Sequence, residues 1–194
     1  MKTLILNGSP RRSGDTAALL ARLRRGLRGE VTEISAYYGG IAPCVDCREC
    51  WKRRGCVTDD AMRGVYADDY SAVVIASPVY MSGLTGPLIN LGSRFQAYYA
   101  ARRFLRDPFV PREKTGVLIL AAGGDGSPGA AIDTAKCMFR YMNASLDSAN
   151  TVLSLRTDTL PAERDENALA AIDAVAARLS ANALTRDKPL FPPA

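Results

Sequence analysis

Four of the five cysteines lie within one segment, residues 42–60, which reads APCVDCRECWKRRGCVTDD. Their spacing is C-x2-C-x2-C-x5-C. Three cysteines in a C-x2-C-x2-C run are the compact pattern of a 4Fe-4S site whose fourth ligand comes from nearby. Structural zinc sites usually use two separated C-x2-C pairs, so zinc is less favoured. The spacing therefore predicts metal ligands at Cys44, Cys47, Cys50 and Cys56, and a reduced cysteine loop without metal is the alternative reading.

The sequence contains no histidine, and this absence narrows the chemistry. Histidine is the commonest general base and a frequent metal ligand. Ser-His-Asp hydrolysis, Cys-His proteolysis and histidine-ligated metal sites are therefore excluded. An enzyme of this composition must use carboxylates and hydroxyls, or must bind a cofactor that supplies the chemistry.

Composition and charge indicate a cytoplasmic globular protein. The 194 residues are 47% hydrophobic and 23% charged, which is ordinary for one globular domain. No apolar run approaches the roughly 20 residues that span a bilayer, and the N-terminal apolar run is too short for a signal peptide. The net charge is +5, but the arginines are scattered without alternating aromatic residues. We therefore expect no nucleic acid and no membrane as partners, and a reducing cytosol disfavours disulfides.

Strand-like and helix-like segments alternate along the chain. Apolar runs predict strands, and helical spacing of apolar residues predicts helices between them. The predicted strands are 2–7, 30–35, 71–80, 114–124 and 149–157, and the predicted helices are 14–29, 60–68, 85–104, 129–145 and 162–184. Asp15 and Gly29 are the expected caps of the first helix. This order predicts an α/β fold, a flavodoxin-like doubly wound five-stranded parallel sheet of order 2-1-3-4-5. Residues 1–185 form the single domain, and 186–194 form a proline-rich tail.

The loop after strand 1 has the composition of an anion site. It reads NGSPRRSGDT, residues 7–16, and it enters the first helix, where free N–H groups and the helix dipole favour an anion. Ser9, Ser13 and Thr16 add hydroxyl donors, and Arg11 and Arg12 add positive charge. The loop lacks the G-x-G-x-x-G pattern of dinucleotide sites and suits the terminal phosphate of a mononucleotide. A polar turn without a ligand is the alternative.

Two further loops are expected at the same edge of the sheet. The segment SPVYMSGLTGP, residues 77–87, offers flat or soft apolar surface against an aromatic ring, with backbone N–H groups that can face ring heteroatoms. The segment AAGGDGSPGA, residues 121–130, has four glycines, which permit close backbone approach to a ligand. For residues 77–87 the alternative is an ordinary turn into the next helix, and residues 121–130 are equally consistent with a flexible turn.

Taken together, three motifs resemble the NADPH-dependent FMN reductase family, and especially its iron–sulfur flavoprotein branch. They are NGSPRRSGDTAALL, PCVDCREC with CVTDDAM, and SPVYMSGLTGPLINLGSR. The resemblance implies bound FMN, with its phosphate held in the first loop by Ser9, Arg11, Ser13, Gly14, Asp15 and Thr16. The isoalloxazine would be bordered by Pro78, Val79, Tyr80, Met81, Ser82 and Gly83, and on its other side by Gly123, Gly124 and Asp125. It also implies a homodimer or homotetramer.

The resulting functional hypothesis is an NAD(P)H-dependent FMN oxidoreductase that passes electrons to a small-molecule or protein acceptor. No side chain is expected to act as nucleophile or base, because the cofactor supplies the chemistry. The alternative is an electron-transfer iron–sulfur flavoprotein that carries a 4Fe-4S cluster on the four loop cysteines and has a ferredoxin-like partner. A third reading is a binding module that keeps the fold without flavin. Cys137 is interpreted as a buried small hydrophobe, and Asp59 and Asp60 as caps of the following helix.

Overall fold

The computed structural model describes residues 1–67, 70–106, 113–124 and 126–186. Within these ranges the strands are β1 (Lys2–Asn7), β2 (Glu30–Ser35), β3 (Ala72–Pro78), β4 (Lys114–Ala122) and β5 (Ala144–Leu155). The helices are α1 (Asp15–Gly26), α2 (Met62–Ala67), α3 (Gly86–Ser93), α4 (Gln96–Ala100), α5 (Gly129–Tyr141) and α6 (Glu166–Arg186). A π-helical turn, Ala101–Leu105, follows α4, and short 3-10 turns lie at Glu49–Trp51 and Ala162–Arg164. Most of the predicted tail, 187–194, lies outside the described residues.

The strands form one parallel sheet of order β2-β1-β3-β4-β5. The predicted flavodoxin-like topology is therefore confirmed. Its register aligns Ile5, Val74 and Val117 across the three central strands. The direction in which successive strands are added to the sheet reverses between β1 and β3. Ligands of open α/β sheets bind outside the carboxyl ends of the strands at such a switch point.

Helices cover both faces of the sheet. Leu4 and Leu6 point into a core formed with α2, α3, α4 and α5, whereas Ile5 points into a second core formed with α1 and α6. Alternate residues of a strand face opposite sides, so a strand buried on both faces must be apolar throughout. This burial explains why the central strands read as continuous apolar runs in the sequence.

The single helix predicted over 85–104 is wrong, because it divides into α3, α4 and the π-helical turn. The break occurs at Arg94. Its carbonyl accepts an amide hydrogen bond from Ala97 (3.2 Å) and a second bond from the Tyr66 hydroxyl (2.7 Å). The N–H of Tyr98, which would continue the helix, bonds instead to the carbonyl of Phe95 (2.9 Å). A tertiary hydrogen bond thus competes with the regular helical pattern.

Strand β5 begins at Ala144, earlier than the predicted 149, and α5 ends at Tyr141 rather than 145. Asn143, with φ of 54°, adopts the left-handed conformation that often follows a helix end. The first part of β5 is polar, which hid it from the apolar pattern. Most side chains in this part of β5 are exposed at the edge of the sheet, where polar groups remain in contact with water.

Both predicted caps of the first helix are also wrong. Gly14 occupies the N-cap position, and Asp15 is the first helical residue. The helix ends at Gly26, with Leu27 rather than Gly29 at the C-cap. The Asp15 carboxylate instead accepts a hydrogen bond from the N–H of Ala162 (2.9 Å), which ties the segment after β5 to α1.

We expect Gly8→Ala to lower the free energy of unfolding by about 1–3 kcal/mol, because the site has no room for a methyl group. A Cβ at Gly8 would lie 2.7 Å from Leu88 Cδ2 and 3.0 Å from Thr85 Oγ1. Two hydrogen bonds hold the backbone: its N–H donates to Ala76 (2.7 Å), and its carbonyl accepts from Thr85 (2.8 Å). Urea denaturation measures the effect.

The matched control is Gly64→Ala, since a Cβ at this exposed helical glycine would meet no atom within 4 Å. This variant should be neutral or should gain up to about 1 kcal/mol from helix propensity. Equal losses in the two variants would contradict the steric explanation.

Candidate functional site

A cleft opens where the loops after β1, β3, β4 and β5 meet. Its volume is about 230 Å³. This is below the roughly 300–1,000 Å³ of sites that enclose a whole small ligand, so the cleft fits part of a larger molecule. Eight residues predicted to bind a cofactor line it: Ser9, Arg11, Asp15, Thr16, Pro78, Val79, Tyr80 and Gly123. The fold thus brings together residues from three loops that are far apart in sequence.

The β1–α1 loop offers donors to an anion. Helix α1 has no side-chain cap at its N-terminus, so its first N–H groups are available to a ligand. Thr16 is 3% exposed and lines the cleft from the first turn, and Ser9 is 6% exposed beside it. The exposed Arg11 adds a positive charge. This set of hydroxyl, amide and guanidinium donors fits a phosphate group.

Hydrogen bonds within the loop hold Ser9 in place. Its N–H donates to the side-chain oxygen of Asn7 (2.8 Å), and its hydroxyl oxygen accepts from the N–H of Arg11 (3.2 Å). Ser13 and Gly14 belong to the same loop but are exposed and do not line the cleft. The structure therefore separates the predicted phosphate residues into a buried part and an exposed part.

The loop after β3 forms a tight turn. The N–H of Tyr80 donates to the carbonyl of Gly83 (3.0 Å), and the N–H of Gly83 donates back to Tyr80 (2.9 Å). Met81 and Ser82 between them have φ of 49° and 62°, a conformation uncommon for residues other than glycine. Two N–H groups of this loop are thus already used within the turn, and the side chain of Met81 projects fully into solvent.

The loop after β4 is divided between two clefts. Gly123 lines the cleft described above, whereas Gly124 lines a neighbouring one with Arg156. Asp125 lies outside the described residues.

Three residues that line the first cleft were not predicted from the sequence. They are Ala121, Thr157 and Asp158. The last two follow β5, which ends at Leu155 rather than at the predicted 157. The carboxyl ends of parallel strands lie at one edge of a sheet, so the loop after β5 also reaches this edge. The same rule would have predicted Thr157 and Asp158 at the site.

One buried ion pair anchors the cysteine segment. The guanidinium of Arg94 donates to the carboxylate of Asp60 at 2.6 Å, and their side chains are 1% and 7% exposed. It also donates to the carbonyls of Ala42 (2.8 Å) and Thr58 (3.4 Å), which flank the four cysteines. Asp60 caps the following helix as predicted, since it accepts from the N–H of Met62 (3.0 Å). The ion pair between Asp60 and Arg94 was not predicted from the sequence.

The pKa values of two thiols in this segment, Cys50 and Cys56, are shifted in opposite directions. Burial raises the pKa of Cys50, and the nearby thiols of Cys56, Cys44 and Cys47 add to this shift. Burial also acts on Cys56, but hydrogen bonds at Thr58 and the charge of Arg94 outweigh it and lower the pKa of that thiol. Of these two thiols Cys56 is therefore the more acidic, and the thiolate is the form that binds metals.

The metal-ligand prediction for the four cysteines stays a prediction. Among the described residues, no group of three or more histidine, cysteine, aspartate or glutamate side chains is arranged to hold a metal ion. All four cysteines are free thiols, and Cys47 is exposed. Cys137 is exposed as well, so its interpretation as a buried hydrophobe is wrong, because it lies on the solvent face of α5.

The fold and the cleft define a flavodoxin-like α/β protein with a loop rich in hydrogen-bond donors at the switch point of its sheet. The family model described as NADPH-dependent FMN reductase matches residues 1–154. The chain belongs to this family, as the sequence motifs indicated.

Two relatives carry the name iron-sulfur flavoprotein. The chain is 34% identical over 137 residues to that of Methanocaldococcus jannaschii, an alignment that covers 68% of this chain and 66% of the relative. It is 34% identical over 125 residues to that of Archaeoglobus fulgidus, with coverage of 62% and 60%. The chain thus spans just under two thirds of the length of these relatives.

Solved structures show the same fold. A flavone reductase superposes with a TM-score of 0.64 at 15% identity, covering 99% of this chain and 66% of its own. An FMN-dependent NADH-azoreductase from Bacillus anthracis, solved in complex with FMN, gives a TM-score of 0.64 at 16% identity, with coverage of 93% and 100%. Within the described residues, no helix has both the length and the apolar character needed to cross a membrane.

Proposed function

We propose that this protein is an FMN-dependent oxidoreductase that takes electrons from NAD(P)H and passes them to a small-molecule or protein acceptor. The observation that carries the proposal is the uncapped N-terminus of α1, flanked by the buried hydroxyls of Ser9 and Thr16 at the switch point of the sheet. Family membership supports the same cofactor. FMN, when bound, supplies hydride chemistry at its ring.

The residues of the cleft have distinct roles in this proposal. Ser9, Thr16 and Arg11 hold the phosphate through charge-assisted hydrogen bonds. Pro78 and the ring of Tyr80, which is 45% exposed, provide an apolar border for the flavin. None of these groups needs to transfer a proton, which agrees with a chain that lacks histidine.

Anaerobic reduction of the purified protein tests this proposal. The protein should show flavin absorption bands, and NADPH or NADH should bleach them. The rates with the two donors identify the physiological nicotinamide. A protein that neither carries flavin nor binds added FMN would contradict the proposal and favour the binding-module reading.

A second candidate function is electron transfer through a 4Fe-4S cluster on Cys44, Cys47, Cys50 and Cys56. The cysteine spacing and the iron-sulfur flavoprotein names of both relatives favour it. Iron, sulfide and zinc assays on anaerobically purified protein separate a cluster from zinc and from free thiols. Faster reduction by reduced ferredoxin than by NADPH would favour this function over the first.

If the cluster exists, Cys50→Ser should remove most of the iron and leave the flavin content unchanged. Cys50 packs against the core beneath the loop, so its loss removes an inner ligand. The matched control is Cys137→Ser, an exposed cysteine on α5, which should keep all the iron. Iron and flavin are measured on the same sample. Full retention of iron in Cys50→Ser would remove this cysteine from the ligand set.

We also propose a homodimer or homotetramer, on the strength of the family resemblance. Light scattering after size exclusion tests the assembly. The cytoplasmic location expected from composition stays a prediction.

A further inference from the structure

A second cleft adjoins the first one, on the β2 side of the β1–α1 loop. Its volume is about 380 Å³, within the roughly 300–1,000 Å³ of small-molecule sites. Ser9 and Arg11 line both clefts, so the two meet where the phosphate is proposed to lie. The remaining walls come from α1, from the end of β2 and from Tyr38 beyond it.

The charges of this second cleft favour an anion. Three guanidinium groups line it, from Arg11, Arg12 and Arg24, against the single carboxylate of Glu33. Arg24 pairs with Glu33, and the side-chain amide of Asn7 donates to the same carboxylate at 2.9 Å. Arg11 and Arg12 thus leave an excess of positive charge. The carboxylate is held in place and keeps lone pairs that can accept from a sugar hydroxyl.

The second cleft also has a flat wall. The guanidinium carbon of Arg12 lies 4.6 Å from the ring centre of Tyr38. The Tyr38 hydroxyl donates to the carbonyl of Pro10 at 2.5 Å, which fixes the ring against the β1–α1 loop. Tyr38 is still 55% exposed. Aromatic rings and guanidinium planes are the surfaces on which nucleobases stack.

We propose that the second cleft binds an adenylate group, that is, the adenosine 5′-phosphate part of a larger nucleotide. Arg12 would take its phosphate, with Arg11 lying between this phosphate and that of the flavin. Glu33 would bind its ribose hydroxyls and Tyr38 its base. The proposal rests on the proposed function, because the adjoining cleft is then the site of the flavin phosphate. Two sources share this chemistry: FAD, in which adenylate is joined to the flavin phosphate, and the nicotinamide dinucleotide donor.

Titration calorimetry of FMN-loaded protein with 5′-AMP tests the adenylate site. Wild-type protein should bind 5′-AMP, and Tyr38→Ala should weaken this binding about tenfold or more through the loss of stacking. Tyr38→Phe keeps the ring and should retain most of the affinity. Arg12→Ala should weaken binding of 5′-AMP more than that of adenosine. Its matched control is Arg28→Ala, which removes an exposed arginine that does not line the cleft and should bind 5′-AMP as the wild type does.

Two further measurements identify the source of the adenylate. Flavin fluorescence compares the affinities for FAD and FMN, and steady-state kinetics determine how 5′-AMP inhibits NADPH oxidation. FAD affinity equal to or above that of FMN, and lowered by Tyr38→Ala, assigns the cleft to FAD. Weak FAD binding together with competitive inhibition against NADPH, relieved by Tyr38→Ala, assigns it to the donor.

Absence of 5′-AMP binding at millimolar concentration, or binding that Tyr38→Ala leaves unchanged, overturns the proposal. FMN would still bind in that case, so the proposed function would stand. Failure of the proposed function has a different signature, because the protein then binds neither FMN nor FAD.

Discussion

Arg94→Met should lower the free energy of unfolding by about 3–5 kcal/mol, the usual cost of breaking a buried ion pair on one side. The side chains of Arg94 and Asp60 are 1% and 7% exposed. Removal of the guanidinium leaves the Asp60 carboxylate buried without its cation. It also removes the donor that the carbonyls of Ala42 and Thr58 share.

The same substitution should loosen the cysteine segment. Arg94 contacts the chain on both sides of the four cysteines, at Ala42 and at Thr58. Without these contacts the segment loses its hydrogen bonds to the C-cap residue of α3, while the bond from the N–H of Cys44 to the hydroxyl of Ser93 (2.9 Å) remains. Its thiols should therefore react faster with a disulfide reagent under native conditions, a readout that simple loss of global stability does not produce at low temperature.

Urea denaturation measures the effect on stability against two comparison variants. Arg63 pairs with Asp59 at 3.2 Å, but their side chains are 71% and 74% exposed, so Arg63→Met should cost less than about 1 kcal/mol. The double variant Arg94→Met with Asp60→Leu should recover part of the loss, because no buried charge remains unpaired. Equal losses at Arg94 and Arg63 would show that the buried pair has no special role.

The double variant Ser9→Ala with Thr16→Val should weaken FMN binding about a hundredfold or more, because both hydroxyls line the cleft. A hydrogen bond to a charged group contributes roughly 1.5–3 kcal/mol, and about 1.4 kcal/mol corresponds to tenfold in affinity. Thr16 is 3% exposed, and valine has nearly the same shape, so packing in the first turn of α1 is preserved. Quenching of flavin fluorescence measures the affinity.

Riboflavin is the control ligand, because it lacks the phosphate. Its affinity should change less than about threefold, since only the phosphate contacts are removed. Thr16→Ser alone, which keeps a hydroxyl, should retain most of the FMN affinity. Unchanged FMN binding in the double variant would refute the assignment of the β1–α1 loop to the phosphate.

The sequence was informative about the sheet because burial leaves a local pattern. Strands β1, β3 and β4 are buried on both faces, so each appears as an apolar run. Alternation with helices then determines a parallel sheet, and the carboxyl ends of its strands must share one edge. Ser9, Tyr80 and Gly123 were predicted to lie near one another by this argument, and the structure places them in one cleft.

Tertiary structure alone decided the features that depend on distant partners. Arg94 lies at the break between α3 and α4, and nothing local shows that its partner is Asp60, 34 residues away. Met81 and Ser82 adopt positive φ although neither is glycine or asparagine, so their residue types did not indicate the turn.

The second cleft joins Tyr38 to the β1–α1 loop through contacts across the fold. Residue patterns record how deeply a segment is buried, whereas the partners of a charge or a ring depend on the packed arrangement of the whole chain.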